Sequence, residues 1–289
     1  MPLPNAYIIG VQKAGTTSLH NWLAQHPDIY APLELKDVDY FANPAIAANA
    51  KERLEKDFAG YNGEKVILQS QVNYMFYTGA LERIKALTPE AKLIVILRDP
   101  VDRAISAYRY FKKMGNEKRS PEEALLYEPQ TGLKYSKHNS DYTYIEHGMY
   151  GRQLEAVYQK FNPKNVLVLQ FKELINQPKQ LALKAFNFLA VNKSFTPSFN
   201  QKNKTGTARF KWIQNRLTST NRLRQIVIKY LFNWWLPVEK RQWLRKQLIE
   251  LNTGTKDHQT FLNGVRMQLQ SFFKEDQEKV TRIINNTPF

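Results

Sequence analysis

Ala6-Tyr7-Ile8-Ile9-Gly10-Val11-Gln12-Lys13-Ala14-Gly15-Thr16-Thr17-Ser18 joins an apolar run to a glycine-containing turn and then to a helical pattern. The bulky apolar run from Ala6 to Val11 suits a buried strand, and the residues after Ser18, with Leu19, Trp22 and Leu23, carry helical spacing. Between them lies a tight loop. A loop in that position turns backbone N–H groups toward an anion, and the helix N-terminus adds partial positive charge. Lys13 adds a full charge and Thr16, Thr17 and Ser18 add hydroxyl donors. Ala14 and Gly15 belong to the same turn, and glycine permits close approach. A Walker A loop needs its lysine directly after the second glycine. Here Thr16 follows Gly15 and the lysine comes earlier, so this is a phosphate loop of another kind.

Further along the chain, Leu93-Ile94-Val95-Ile96-Leu97 is the strongest strand signal. Five aliphatic residues without alternation suit a central parallel strand covered on both faces. Val66-Ile67-Leu68 and Val166-Leu167-Val168-Leu169 are further buried-strand candidates. Helices are expected over Ala80–Leu87, Val101–Met114 and Lys179–Leu189, and partly near Pro121–Leu126. Strands alternating with helices imply an α/β fold with a central parallel sheet flanked by helices. After Asn192 the strand signals stop. A basic loop and helices over Trp212–Leu217, Asn221–Phe232, Glu239–Leu251 and Leu269–Ile284 are expected there. Residues 1–289 therefore read as one domain, with an α/β nucleotide-binding core to about residue 192 and a basic, helical C-terminal region from about 193 to 289.

The chain has 289 residues, 43% of them apolar, which is enough for a sizeable core. Its 42 Lys and Arg against 26 Asp and Glu give a net charge of +16. Such an excess suits a polyanionic partner: a phosphorylated nucleotide, a nucleic acid, an acidic glycan or an anionic membrane. There is no cysteine, which excludes disulfides, a thiolate nucleophile and a Cys-based zinc site. No leader pattern opens the chain, and Tyr7–Val11 is far too short to span a membrane, so a cytoplasmic location is expected.

A second anion site is legible at Leu97-Arg98-Asp99-Pro100, where the central strand ends, followed by Ser106 about two turns into the next helix. Ligands of open α/β sheets sit at that edge. Arg supplies a charge-assisted fork for phosphate and Ser a compact donor. Arg103 reads as a surface or helix-capping residue, and Tyr108 and Tyr110 as packing residues.

Ile9-Gly10-Val11-Gln12-Lys13-Ala14-Gly15-Thr16-Thr17-Ser18-Leu19 resembles the 5′-phosphosulfate loop of sulfotransferases that use 3′-phosphoadenosine-5′-phosphosulfate (PAPS), with the Gln-Lys variant similar to the carbohydrate branch, including heparan sulfate sulfotransferases, and to bacterial relatives. Leu97 to Tyr108 resembles the family's 3′-phosphate segment, and Asn165 to Leu174 its later strand. That likeness implies PAPS as donor and adenosine 3′,5′-bisphosphate (PAP) as product. It implies Arg98 and Ser106 on the 3′-phosphate, and Phe171 near the adenine, although Phe171 reads equally as core packing. Lys204-Thr205-Gly206-Thr207-Ala208-Arg209 lies where relatives carry a basic loop over the nucleotide, which adds Lys204, Thr205, Gly206 and Arg209 to the donor site.

On the acceptor side, Glu34-Leu35-Lys36-Asp37-Val38-Asp39-Tyr40-Phe41 resembles a segment whose Glu is the general base in the carbohydrate branch. The matching residue is Asp37, with Lys36 beside it to steady the leaving group or an anionic acceptor. Asp39 and Glu34 are nearby substitutes, and His20, His26, His138 and His147 are other candidate bases. Gln69-Ser70-Gln71-Val72-Asn73-Tyr74 departs from the family's usual pattern, because both its carboxylate and its proline are replaced.

The resemblance implies transfer of a sulfuryl group to a hydroxyl or amine of a carbohydrate or small molecule by in-line attack, with no metal required. Two other readings compete. A P-loop-type nucleotide kinase needs Gly-Lys-Ser/Thr and a strand-end Asp for magnesium; the first is absent. A basic nucleic-acid or membrane-surface module accounts for the charge but not for two anion motifs.

Overall fold

The computed structural model describes residues 3–127, 143–199, 207–208, 253–254 and 261–286. Five strands form one sheet: β1 (Ala6–Gly10), β2 (Ile29–Tyr30), β3 (Val66–Ser70), β4 (Lys92–Leu97) and β5 (Val166–Gln170), in the order β2-β3-β1-β4-β5. Every pairing is parallel. The expected α/β class and central parallel sheet are what the chain adopts. β1 and β4 are interior strands and are buried almost throughout, as their unalternating aliphatic runs demand. The two-residue β2 has no sequence signal of its own; it exists because Ile29 and Tyr30 meet Val66 and Ile67 of β3.

Around the sheet run α1 (Thr16–Leu23), α2 (Pro44–Ala47), α3 (Ala50–Asp57), α4 (Ala80–Leu87), α5 (Pro100–Met114), α6 (Pro121–Leu125), α7 (Tyr150–Lys160), α8 (Phe171–Asn176), α9 (Pro178–Leu189) and α10 (Phe261–Asn286). α5 shows why its residues stop and start where they do. The Asp99 side chain accepts from the Asp102 N–H, Pro100 fills the first turn, and Gly115 at φ 77° closes the helix.

α10 begins earlier than the expected Leu269. It packs against α5, α6 and α7 and closes a second apolar cluster, in which Leu269 and Phe273 meet Ile105, Phe111 and Tyr144. Gly148 makes that approach possible, since a Cβ there would stand 2.6 Å from the Phe273 ring. Asp276 adds a polar tie by accepting from the Gly151 N–H at 2.9 Å.

Three expectations need correction. Residues after Asn192 are not free of strand: β6 (Thr207–Ala208) pairs antiparallel with β7 (Thr253–Gly254), and β6 lies against α5. Arg103 is not a surface or capping residue. It is fully buried on the inner face of α5, where it donates to the Tyr144 carbonyl. Tyr110, read as packing, is instead 36% exposed. The helices expected over 212–217, 221–232 and 239–251 lie outside the described residues.

Candidate active site

The loop after β1 is shaped by two left-handed residues, Lys13 at φ 67° and Gly15 at φ 87°. Gly15 is also where the backbone comes closest to its support: a Cβ there would meet Phe171 and Leu174 at 3.1 Å. Gly15 caps α1 without a side-chain hydrogen bond; the Ser18 and Leu19 N–H groups return to its carbonyl at 3.0 and 3.1 Å, which leaves those of Thr16 and Thr17 as the open donors of the first turn. Ala14 and Thr16 are buried, while Thr17 and Ser18 are half-buried.

Lys13 is half-buried, and its ammonium stands 4.0 Å from the centre of the Tyr110 ring. Burial pushes its pKa down to about 8, helped by the positive charges of Arg98, Arg103 and Lys113. Four cationic side chains held this close repel one another, an arrangement that a bound polyanion relieves.

Arg98 leaves the C-terminal end of β4 and donates from Nη1 to the Lys13 carbonyl at 3.0 Å. Its guanidinium lies 4.7 Å above the Phe171 ring. Phe171 is the first residue of α8 rather than part of a strand, and the strand ends at Gln170. Placed there, its ring supports both Gly15 and Arg98. Ser106 is half-buried on α5. Two buried donor atoms nearby have no hydrogen-bond partner, Arg98 Nε and the Tyr150 hydroxyl, and Tyr150 lies within electrostatic reach of Arg98, Arg103 and Asp99. Buried donors left unpaired are costly, so the residues present fit a phosphorylated ligand whose oxygens complete them. Tyr150 was not legible as a donor from sequence; only its packing brings it here. Lys204, Thr205, Gly206 and Arg209 lie outside the described residues.

The acceptor-side residues gather at the end of β3, the strand next to β1, about 5 Å away at parallel spacing. Asp37 is held at φ 65°, its N–H bonded to the Ser70 carbonyl at 2.8 Å. Lys36 spends its ammonium on the Asp37 carboxylate at 2.5 Å. The Lys36 side chain is 9% exposed and that of Asp37 is 51% exposed, so the carboxylate is the solvent-facing member of the pair. Asp39 is not free for chemistry, because its carboxylate accepts from the N–H groups of Phe41, Ala42 and Asn43. Glu34 sits in a one-turn helix, Leu33–Leu35, ahead of the pair.

The histidines divide sharply. His26 bonds the Asn192 carbonyl and the Asp28 N–H, and is buried. His147 stacks on Phe76 at 3.6 Å between Thr143 and Asn73, and burial and Arg103 hold its pKa well below the ordinary value. His20 bonds the Ser70 hydroxyl at 2.7 Å, and burial together with Lys36 pushes its pKa down to about 4. His138 lies outside the described residues. Among the described residues no group of three or more His, Asp or Glu gathers as a metal site would, and no helix is long and apolar enough to cross a membrane.

Comparison with known proteins gives these positions a setting. The human heparan sulfate glucosamine 3-O-sulfotransferase 3B1 is 29% identical over 206 residues, which is 70% of this chain and 50% of that protein. The membrane-associated sulfotransferase kil1 of Dictyostelium discoideum is 34% identical over 122 residues, 41% of this chain and 25% of that one. The chain thus spans about half the length of the heparan sulfate relatives it matches. A solved sulfotransferase from Alicyclobacillus acidocaldarius superposes with a TM-score of 0.63 at 29% identity, over 71% of this chain and 87% of its own. The family described as "Sulfotransferase domain" matches residues 3–280, from before β1 into α10. The loop at Lys13, the strand end at Arg98 and most of the helix that closes over α5 fall within that match, and this chain belongs to the sulfotransferase domain family.

Proposed function

We propose that the chain, acting as one domain, transfers a sulfuryl group from PAPS to a hydroxyl or amine of a carbohydrate or small-molecule acceptor. The observation that carries this reading is the junction of two anion segments: Arg98 bonds the backbone of Lys13, and Phe171 lies beneath both Arg98 and Gly15. One ligand with phosphates at both ends of a nucleoside fits that junction better than two separate anions. The N–H groups of Thr16 and Thr17, with the hydroxyls of Thr16, Thr17 and Ser18, take the 5′ end. Arg98 and Ser106 take the 3′-phosphate.

In the reaction, the acceptor oxygen or nitrogen forms a bond to sulfur as the bond from sulfur to the phosphate oxygen breaks. The electron pair leaves on that phosphate oxygen, where the Lys13 ammonium meets it. With a pKa near 8, Lys13 is mostly charged at neutral pH. Preorganised charge of this kind commonly supplies the largest share of rate. Asp37, in the loop tied to the end of β3, takes the acceptor proton. The leaving charge is met by protein cations, so the reading takes no metal.

A glycan acceptor is favoured by the relatives named for heparan sulfate glucosamine. Cytoplasmic location is part of the same proposal, and fractionation of cells expressing the chain checks it against the membrane association named for the Dictyostelium relative. The deciding experiment follows PAP release from PAPS over a panel of glycans and small alcohols. Asp37→Asn lowers turnover by about 10²–10⁴ with PAP affinity kept; full activity in that variant removes Asp37 as the base.

A further inference from the structure

The carboxylate assigned above to proton transfer stands on an exposed loop, with its backbone in the left-handed region that Asp enters more readily than most non-glycine residues. Hydrogen bonds from the surroundings hold it there. The surroundings here are the last two residues of β3. The Ser70 carbonyl accepts the Asp37 N–H at 2.8 Å, and the Gln69 side-chain amide donates to the Val38 carbonyl at 3.1 Å. Both side chains are 1% exposed, so neither reaches solvent or an acceptor. These are positions where the chain departs from the usual family pattern.

Beneath Ser70 is His20, which is 1% exposed and comes from the helix that follows the phosphate loop. Its Nδ1 lies 2.7 Å from the Ser70 hydroxyl. The groups that face the ring are Ser70, the backbone of Ala31 and, as the nearby charge, Lys36. A protonated ring would put a second cation beside buried Lys36, so the ring stays neutral. Through Nδ1 it ties α1 to β3, while its buried Nε2 has no hydrogen-bond partner.

We propose that His20, acting through Ser70, is a positioning residue that fixes Asp37 against the end of β3 and couples it to the helix of the phosphate loop. The inference rests on Asp37 being the base, and it adds what holds that base in register with Lys13. His20 does not touch the acceptor and does not accept its proton. A misplacement of about 1 Å in such a group costs about 10²-fold in rate, which sets the scale of the effect.

The test uses the full chain with PAP bound and reads amide hydrogen exchange at Asp37 and Val38. His20→Leu and Ser70→Ala are expected to speed exchange at those two amides by at least about 10-fold, with residues 13–18 unchanged. His20→Asn, whose amide still reaches the Ser70 hydroxyl, restores protection. With PAPS and a heparan oligosaccharide, the Leu and Ala variants lose about 10- to 100-fold in kcat while KM for PAPS stays within about twofold. Combined with Asp37→Asn, His20→Leu brings no further loss, because both act through one group. Unchanged exchange at Asp37 in Ser70→Ala and His20→Leu overturns the proposal, as does a rate loss that adds in full to that of Asp37→Asn. If Asp37→Asn alone keeps full activity while exchange still responds to His20, the base assignment fails and the positioning stands.

Discussion

Arg98 donates through Nη1 to the backbone carbonyl of Lys13 at 3.0 Å, across 85 positions of sequence. The residue assigned to one end of the nucleotide therefore holds the main chain of the residue assigned to the other. Arg98→Ala has two effects in consequence. It removes a charge-assisted partner for the 3′-phosphate, worth about 10- to 100-fold in affinity, and it loosens the loop at Lys13. Calorimetry with PAP and with adenosine 5′-monophosphate separates them. The preference for PAP should collapse by that factor, while the weaker ligand loses only the smaller share due to the loop.

Lys13 offers a pH signature. Its pKa near 8 belongs to the ligand-free protein, and a bound polyanion raises it. Binding of PAP at pH 8 should take up about half a proton, falling toward zero at pH 6.5, as read from binding heats in buffers of different ionisation enthalpy. The same depression gives a stability trend. The unfolded lysine binds its proton up to its ordinary pKa of 10.5, the folded one only to about 8, so this residue's contribution to stability rises with pH between those values. Lys13→Met abolishes both effects.

Gly15→Ala is expected to destabilise the fold and weaken PAP together. A left-handed conformation costs an L-residue about 1–2 kcal/mol, and the new methyl would press on Phe171 and Leu174 from 3.1 Å. Urea unfolding measures the first effect, and the PAP dissociation constant measures the second.

Phe273→Ala tests the closure of α10. The ring is 1% exposed and fills the space above Gly148, so its removal should cost about 3–5 kcal/mol. Thermal unfolding reads that loss. PAP affinity measured well below the transition should change little.

How much of this was legible follows from what each residue needs. Leu93–Leu97 announces a covered strand because burial on both faces leaves no other composition open to it. The Lys13 loop is legible because its chemistry lies within one turn of chain. Arg103 is not legible: arginine is seldom fully buried, and what permits it here is the Tyr144 carbonyl, 41 positions away. Ile29–Tyr30 is too short to show a period. The left-handed backbone of Asp37 leaves no mark on its neighbours, and the link from His20 to Ser70 joins positions 50 apart. In each of these cases the cause is a partner supplied by topology, which local pattern does not carry.

The sheet order also sets a schedule for synthesis. β1 is the first strand made, yet its partners are β3 and β4, whose residues follow about 60 and 85 positions later. Parallel pairing offers nothing nearer, so β1 waits on the ribosome without these neighbours, and the loop of Lys13 waits with it. Arg98 and Phe171 arrive later still, and α10 last. Nascent chains arrested before about residue 170 should hold no nucleotide, because contacts of such long range form late and nearly together.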